Sequence, residues 1–236
     1  MASQQKDSHP EFNRTLFYKK YGKRLFDLFI SVPVFILLLP LYIALVCLVF
    51  LTIGSPVIFR QARPGFNGKP FSIFKFRTMN NKRDGSGNLL PDSERLNCIG
   101  IILRKLSLDE LPELWIVITG DMSLVGPRPL LMEYLPYYTR REMTRHSVKP
   151  GLTGLAQVNG RNLLQWDQRL EMDAQYAEAC NFILDIKVLL KTVANVVIAK
   201  DTVAAPGTKF GKLSTIRATQ KAELGEVDGK NYRKET

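Results

Sequence analysis

The sequence predicts an α+β protein held on a membrane. An N-terminal re-entrant helix-break-helix precedes a small, mainly helical cytoplasmic domain that contains a β-hairpin. Three observations predict this. No charged residue occurs between Leu28 and Phe59. Pro40 interrupts that run near its middle. Beyond the run, short strand-like and helix-like segments alternate with turn-rich loops, without an internal repeat.

The apolar run comes first. A helix needs roughly 20 apolar residues to cross a ~30 Å hydrocarbon core, and this run is longer. It begins too far along the chain, and its apolar core is too long, for a cleavable signal peptide. Proline inside a helix removes a backbone bond and clashes with the preceding turn, so Pro40, with Pro33 as a second weak point, divides the run. The resulting arms, 25–39 and 41–53, are each about 20 Å long, too short to cross alone. Arg14, Lys19, Lys20, Lys23 and Arg24 precede the run, and Arg60, Arg63, Lys69, Lys75 and Arg77 follow it. Basic flanks favour the cytoplasmic side. If both obey, the helix enters, turns at Pro40 and leaves by the same face. The competing arrangement is one kinked span with a basic flank outside.

The remaining elements follow in order. Residues 1–13 read as a mobile N-terminus. Residues 14–59 comprise a basic, aromatic interfacial segment and the re-entrant helix. Strands are expected at 57–61 and 71–78, joined through Arg63-Pro64-Gly65-Phe66-Asn67-Gly68. Helices are expected at 96–106, 131–145, 165–180 and 182–199 within a domain of residues 60–200. Residues 201–236 are polar without an apolar period and read as a flexible tail.

Composition narrows the function. Lys plus Arg is 33 and Asp plus Glu is 22, a net charge of +11. Much of that charge flanks the apolar run, which argues against a nucleic-acid binder and suits anionic membrane lipids. Three scattered cysteines exclude a disulfide scaffold and a Cys-based zinc site, and two histidines argue against a His-rich metal site.

The chemistry-bearing stretch is Ser107-Leu108-Asp109-Glu110-Leu111-Pro112. Ser107 and Glu110 have capping-box spacing, or the helix begins near Pro112. Either reading puts Asp109 and Glu110 at a helix N-terminus, where the dipole favours ionised carboxylates. Arg104 and Lys105 lie one turn earlier. Gly120-Asp121-Met122-Ser123-Leu124-Val125-Gly126-Pro127-Arg128-Pro129 presents an arginine fork suited to phosphate. Pro150-Gly151-Leu152-Thr153-Gly154 leads to Gln157, Asn159 and Arg161, and its glycines would let backbone approach a ligand. Carboxylates, loop arginines and glycine-rich turns together suggest a phosphoanhydride substrate with Mg²⁺. A membrane-anchored interaction protein with a basic, lipid-binding surface would explain the charge and the apolar run, but not these loops.

These residues resemble the bacterial sugar transferases, the monotopic polyprenyl-phosphate phosphoglycosyl transferases. The match runs through Lys23-Arg24-Leu25-Phe26-Asp27, Pro40, Gln61 with Arg63-Pro64-Gly65, Phe74-Lys75-Phe76-Arg77-Thr78-Met79, and the three stretches just described. It covers roughly 20–200 and is most similar to the small enzymes that initiate bacterial protein N-glycosylation. The resemblance implies transfer of a sugar-1-phosphate from a UDP-sugar, by preference an N-acetylated amino sugar, to undecaprenyl phosphate, with release of UMP. It implies Asp109 as nucleophile, Glu110 as Mg²⁺ ligand and Arg128 as phosphate-binding residue. Lys75, Arg104, Gln157 and Arg161 match recurrent polar positions of the site. It also implies a location on the cytoplasmic face of the bacterial inner membrane. Family members commonly carry Ser-Pro at the membrane break, whereas here Leu39 precedes Pro40.

Overall fold

The computed structural model describes residues 17–160, 163–198 and 211–220. The expected mobile N-terminus, 1–13, lies outside them. A π-helical turn, Tyr18–Gly22, leads into helix α1, Lys23–Thr52. At ~1.5 Å per residue α1 is about 45 Å long.

Helix α1 contains both Pro33 and Pro40 and continues through them. The expected division into two arms at Pro40 is therefore not seen. Each proline removes only its own N–H bond, and side-chain contacts on both sides of Pro40 hold the helix to the rest of the protein. Lys23, Asp27 and Ser31 are buried at one end, and Leu45 and Val49 at the other. Ile30 and Phe35 pack on the main core, and Tyr42 on a second cluster containing Phe76 and Leu103. These positions recur at helical spacing, with one two-turn gap between Phe35 and Tyr42 that spans Pro40, and form one stripe. The opposite face is bare, with Phe29 81%, Leu37 78% and Leu51 80% exposed.

Polar bonds fix the start of α1. The Tyr18 hydroxyl and Lys23 Nζ both donate to Asp185 Oδ2 at 2.6 Å. Arg24 donates to the carbonyls of Val117 and Ile118 at 2.6 Å. Lys19 donates to the carbonyls of Ala177 and Glu178. Asp27 Oδ1 accepts from Ser123 Oγ and the Leu124 N–H at 3.0 Å. Three cations expected at a headgroup interface are thus bound within the protein.

Strands β1, Ile58–Pro64, and β2, Pro70–Phe76, form the expected antiparallel hairpin, with Gln61 opposite Ile73. Its turn places Asn67 at φ 55° and Gly68 at φ 73°, conformations that these residues tolerate. Helix α2, Cys98–Lys105, is capped by Asn97, which accepts from the Gly100 N–H at 2.8 Å. A Cβ on Gly100 would meet the Thr78 carbonyl oxygen at 2.0 Å, so α2 rests directly on the chain leaving β2. Helix α3, Glu113–Thr119, has Pro112 at its N-cap and Gly120 at its C-cap. Strands β3, Ser123–Val125, and β4, Gly151–Thr153, pair in parallel.

The helix expected at 131–145 is instead a 3₁₀ turn, Met132–Tyr137, a one-turn helix, Arg140–Met143, and a second 3₁₀ turn, Thr144–Ser147. Pro136 cannot continue a regular ladder, and the Thr139–Glu142 capping box restarts the helix. Helices α4, Trp166–Ala179, and α5, Phe182–Val197, match expectation closely.

Residues 211–220 differ from the expected flexible tail. Positions 213–220 are helical. Leu213 is fully buried against Leu130, Tyr134, Trp166 and Leu170, and Arg217 pairs with Glu142 and Asp167. The rest of that stretch, 201–210 and 221–236, lies outside the described residues.

Candidate active site

Asp109 and Glu110 lie in a 3₁₀ turn, Leu108–Glu110, immediately before α3. Ser107 does not cap them: it adopts a left-handed conformation, φ 56°, and makes no capping bond. The turn is tied to α1 by the Tyr42 hydroxyl, which donates to the Leu111 carbonyl.

Glu110 collects two cations. Lys75 of β2 places Nζ 2.6 Å from Glu110 Oε1 and 3.2 Å from Glu113 Oε1. Arg128, just beyond β3, forks the same carboxylate, bonding Oε1 through Nη2 and Oε2 through Nη1 at 3.4 Å. Burial alone would raise the Glu110 carboxyl, but Arg128 and Lys75 outweigh it and hold it well below the usual range. Glu110 in turn holds the Arg128 guanidinium above its ordinary value.

Asp109 is treated oppositely. Its carboxylate accepts no side-chain hydrogen bond among the described residues. Burial, then the Glu110 charge, push it up to about 6, against the pull of Lys75, Arg128 and Arg104. The expectation that a helix terminus keeps it firmly ionised is thus reversed in direction, because burial and a like charge outweigh the dipole.

Of the other expected site residues, Arg104 donates from Nε to Thr78 Oγ1 at 2.9 Å. Gln157 donates to the Leu152 carbonyl at 3.1 Å, and its Oε1 is buried without a partner. Arg161 lies outside the described residues. The glycines of the Gly126 and Gly151–Gly154 loops let their two chain segments pack closely. A Cβ on Gly151 would sit 2.0 Å from the Gly126 nitrogen, and one on Gly154 would sit 2.1 Å from the Gly126 carbonyl oxygen.

The structure adds residues that spacing alone did not reveal. Glu113 shares Lys75 with Glu110, and burial raises its carboxyl. Buried Arg145 donates from Nη2 to the Arg128 carbonyl at 2.6 Å and to Asp173 Oδ2 at 2.7 Å, which fixes the backbone that carries Arg128. Only the Glu110–Glu113 spacing, one turn apart, was a usable local signal.

Arg104, Glu110, Arg128 and Gln157 also line a cavity of about 420 Å³. Much of its remaining wall is apolar, from Ile30, Val34 and Leu38 of α1 and Leu189 and Val196 of α5. No cluster of three His, Cys, Asp or Glu ligands occurs among the described residues. Mg²⁺ is commonly held by one or two carboxylates together with substrate phosphates, and the ionised Glu110 beside Asp109 fits that donor chemistry.

An apolar helix is laid along an α+β domain, with carboxylates and cations beside a largely apolar cavity. The family model "Bacterial sugar transferase" matches residues 18–199, and the chain belongs to that family. It is 53% identical over 180 residues to the "Uncharacterized sugar transferase EpsL" of Bacillus subtilis, covering 75% of this chain and 88% of the relative. It is 34% identical over 196 residues to the "Exopolysaccharide production protein ExoY" of Rhizobium meliloti, covering 76% and 87%. It is 39% identical over 181 residues to the "UDP-glucose:undecaprenyl-phosphate glucose-1-phosphate transferase" of Klebsiella pneumoniae, covering 72% of this chain but 39% of that relative.

Proposed function

We propose that this protein transfers a sugar-1-phosphate from a UDP-sugar to undecaprenyl phosphate in two steps. The observation that supports it best is the cavity, which brings apolar walls from α1 and α5 to the Glu110–Arg128 pair. A lipid phosphate has that dual character. In the first step an Asp109 carboxylate oxygen attacks the sugar-bearing phosphorus of the donor. The bond from that phosphorus to the bridging oxygen breaks, and UMP leaves with the electron pair. In the second step a phosphate oxygen of undecaprenyl phosphate attacks the same phosphorus. The bond to Asp109 breaks, which restores the carboxylate and yields undecaprenyl-diphospho-sugar. Covalent catalysis of this kind gives ping-pong kinetics.

Arg128 moves from Glu110 to donor phosphate oxygens, and Lys75 keeps the acidic cluster neutralised. Glu110 would hold Mg²⁺, whose chemistry there is neutralisation of diphosphate charge. Resemblance to the small protein-glycosylation enzymes favours an N-acetylated amino sugar. The Klebsiella relative carries glucose in its name, which gives UDP-glucose a place as the second candidate. Residence on the cytoplasmic face of the inner membrane follows from the basic flanks of α1.

The test is UMP release by the detergent-purified protein, with and without Mg²⁺ and undecaprenyl phosphate. The panel contains UDP-glucose, UDP-galactose, UDP-N-acetylglucosamine and UDP-di-N-acetylbacillosamine. One donor should release UMP in a Mg²⁺-dependent way, and Asp109→Asn should lose at least about 10³-fold in rate. Full activity in that variant would sink the nucleophile assignment.

A further inference from the structure

Residues opposite one another in an antiparallel ladder share a face. Phe59 lies opposite Lys75, Gln61 opposite Ile73, and Arg63 opposite Phe71. Arg63, Gln61 and Lys75 therefore project from one side of the hairpin. Ile73, between them, is buried in the main core, so this side faces protein.

Lys75 has its carboxylates there; Arg63 has none. Arg63 Nη2 donates to the neutral Gln61 Oε1 at 2.6 Å. Its Nε is buried without a partner. Among the described residues no carboxylate lies within ion-pair distance of it, and the nearby Glu113 is taken by Lys75. Its neighbour Pro64 and Arg128 line the same small cavity. Burial, then the Arg128 charge, pull the Arg63 guanidinium down. A partly buried guanidinium with an unpartnered Nε and no counter-charge, beside a second arginine, is unfavourable unless an anion joins them. A planar fork of donors matches phosphate.

We propose that Arg63 is a substrate-binding residue that holds the nucleoside-monophosphate phosphate of the donor, the phosphate that departs. The inference rests on the two-step reading above. Arg128 adjoins Asp109 and Glu110, and so serves the phosphate that is attacked. Arg63 is carried by the hairpin, and its neighbour Pro64 shares a cavity with Arg128, so Arg63 is assigned the adjoining one. It acts only while the nucleotide is present, so the acceptor half-reaction is independent of it.

The test uses the full-length enzyme in detergent, with UMP as the binding probe. Arg63→Gln removes the charge and keeps a polar side chain of moderate length. It should weaken UMP binding by about tenfold, measured calorimetrically, and raise the donor KM similarly. The KM for undecaprenyl phosphate should not change. Its thermal midpoint without ligand should equal or exceed that of wild type, because a like-charge contact has gone. Unchanged UMP affinity, or equal rises in both KM values, would overturn the proposal. If the glutamine variant melts early, Arg63→Lys decides. Keeping the charge but losing the fork should weaken UMP about threefold or more, and wild-type affinity would overturn the assignment. Wild-type protein that neither binds UMP nor releases it would overturn the parent reading, and this one with it.

Discussion

Asp109 and Glu110 are adjacent carboxylates in opposite surroundings. Glu110 takes both nearby cations, so its charge is secured. Asp109 is left with burial and a like-charged neighbour, which raise it to about 6. Separation of two neighbouring carboxyls in this way marks a division of roles. A nucleophile must be ionised, so its protonated fraction is lost activity. Above pH 6 Asp109 is mostly carboxylate; below it, each pH unit removes about tenfold of the reactive form. UMP release at subsaturating donor should therefore fall on an acidic limb with a midpoint near pH 6. A limb near pH 4, the ordinary aspartate range, would mean that burial and Glu110 do not raise Asp109 in the working enzyme. Much of this site was legible at the residue scale, because Asp109, Glu110, Lys75 and Arg128 lie in short, distinctive stretches. Arg145 and Asp173 were not, since 28 residues separate them and only the packing of α4 brings them together. Tyr42 and Leu111 meet across 69 positions, which no local pattern records.

Elements were legible where periodicity is strong and local. The hairpin carries its own turn residues, and α2 and α5 their own caps, Asn97 and Asn181. Elsewhere long-range contacts override a local penalty. Pro40 argues for a break, yet the stripe from Lys23 to Val49 holds α1 together across it. The segment 211–220 is the converse case. Its apolar content is little more than Leu213 and Ile216, too little to register as a helix period, yet those side chains complete a cluster. Trp166 Nε1 donates to the Gly211 carbonyl at 3.1 Å, and Leu130 of that cluster lies two residues beyond Arg128. Docking of this segment should therefore matter to the fold. Leu213→Ala leaves a cavity in a fully buried site and should cost about 2–5 kcal/mol of stability. Denaturant unfolding in detergent, followed by Trp166 emission in a Trp115→Phe background, measures this. An unchanged midpoint would show that the segment does not dock there in solution.

The whole molecule settles how charge and apolar surface are shared. Of the cations before the apolar run, Lys19, Lys23 and Arg24 are spent on Ala177, Glu178, Asp185, Val117 and Ile118. The net +11 is thus only partly available to a membrane. What remains for the lipid is the bare face of α1, from Leu25 to Leu51. Both ends of that helix rest on one body: Asp27 bonds at Ser123 and Leu124, and Val49 packs with Phe76 and Leu103. A transmembrane helix would separate its two ends by ~30 Å of hydrocarbon, and one folded domain could not touch both from one side. The packing therefore argues for both ends on the same face of the bilayer, independently of the basic flanks. To check this, Cys47, Cys98 and Cys180 are first replaced by serine or alanine. Single cysteines are then introduced as Lys20→Cys and Arg60→Cys, positions at opposite ends of α1. A membrane-impermeant maleimide added to sealed vesicles of one known orientation should label both positions or neither. Labelling of one alone would mean that α1 crosses the bilayer and that its packing along the domain does not persist in the membrane.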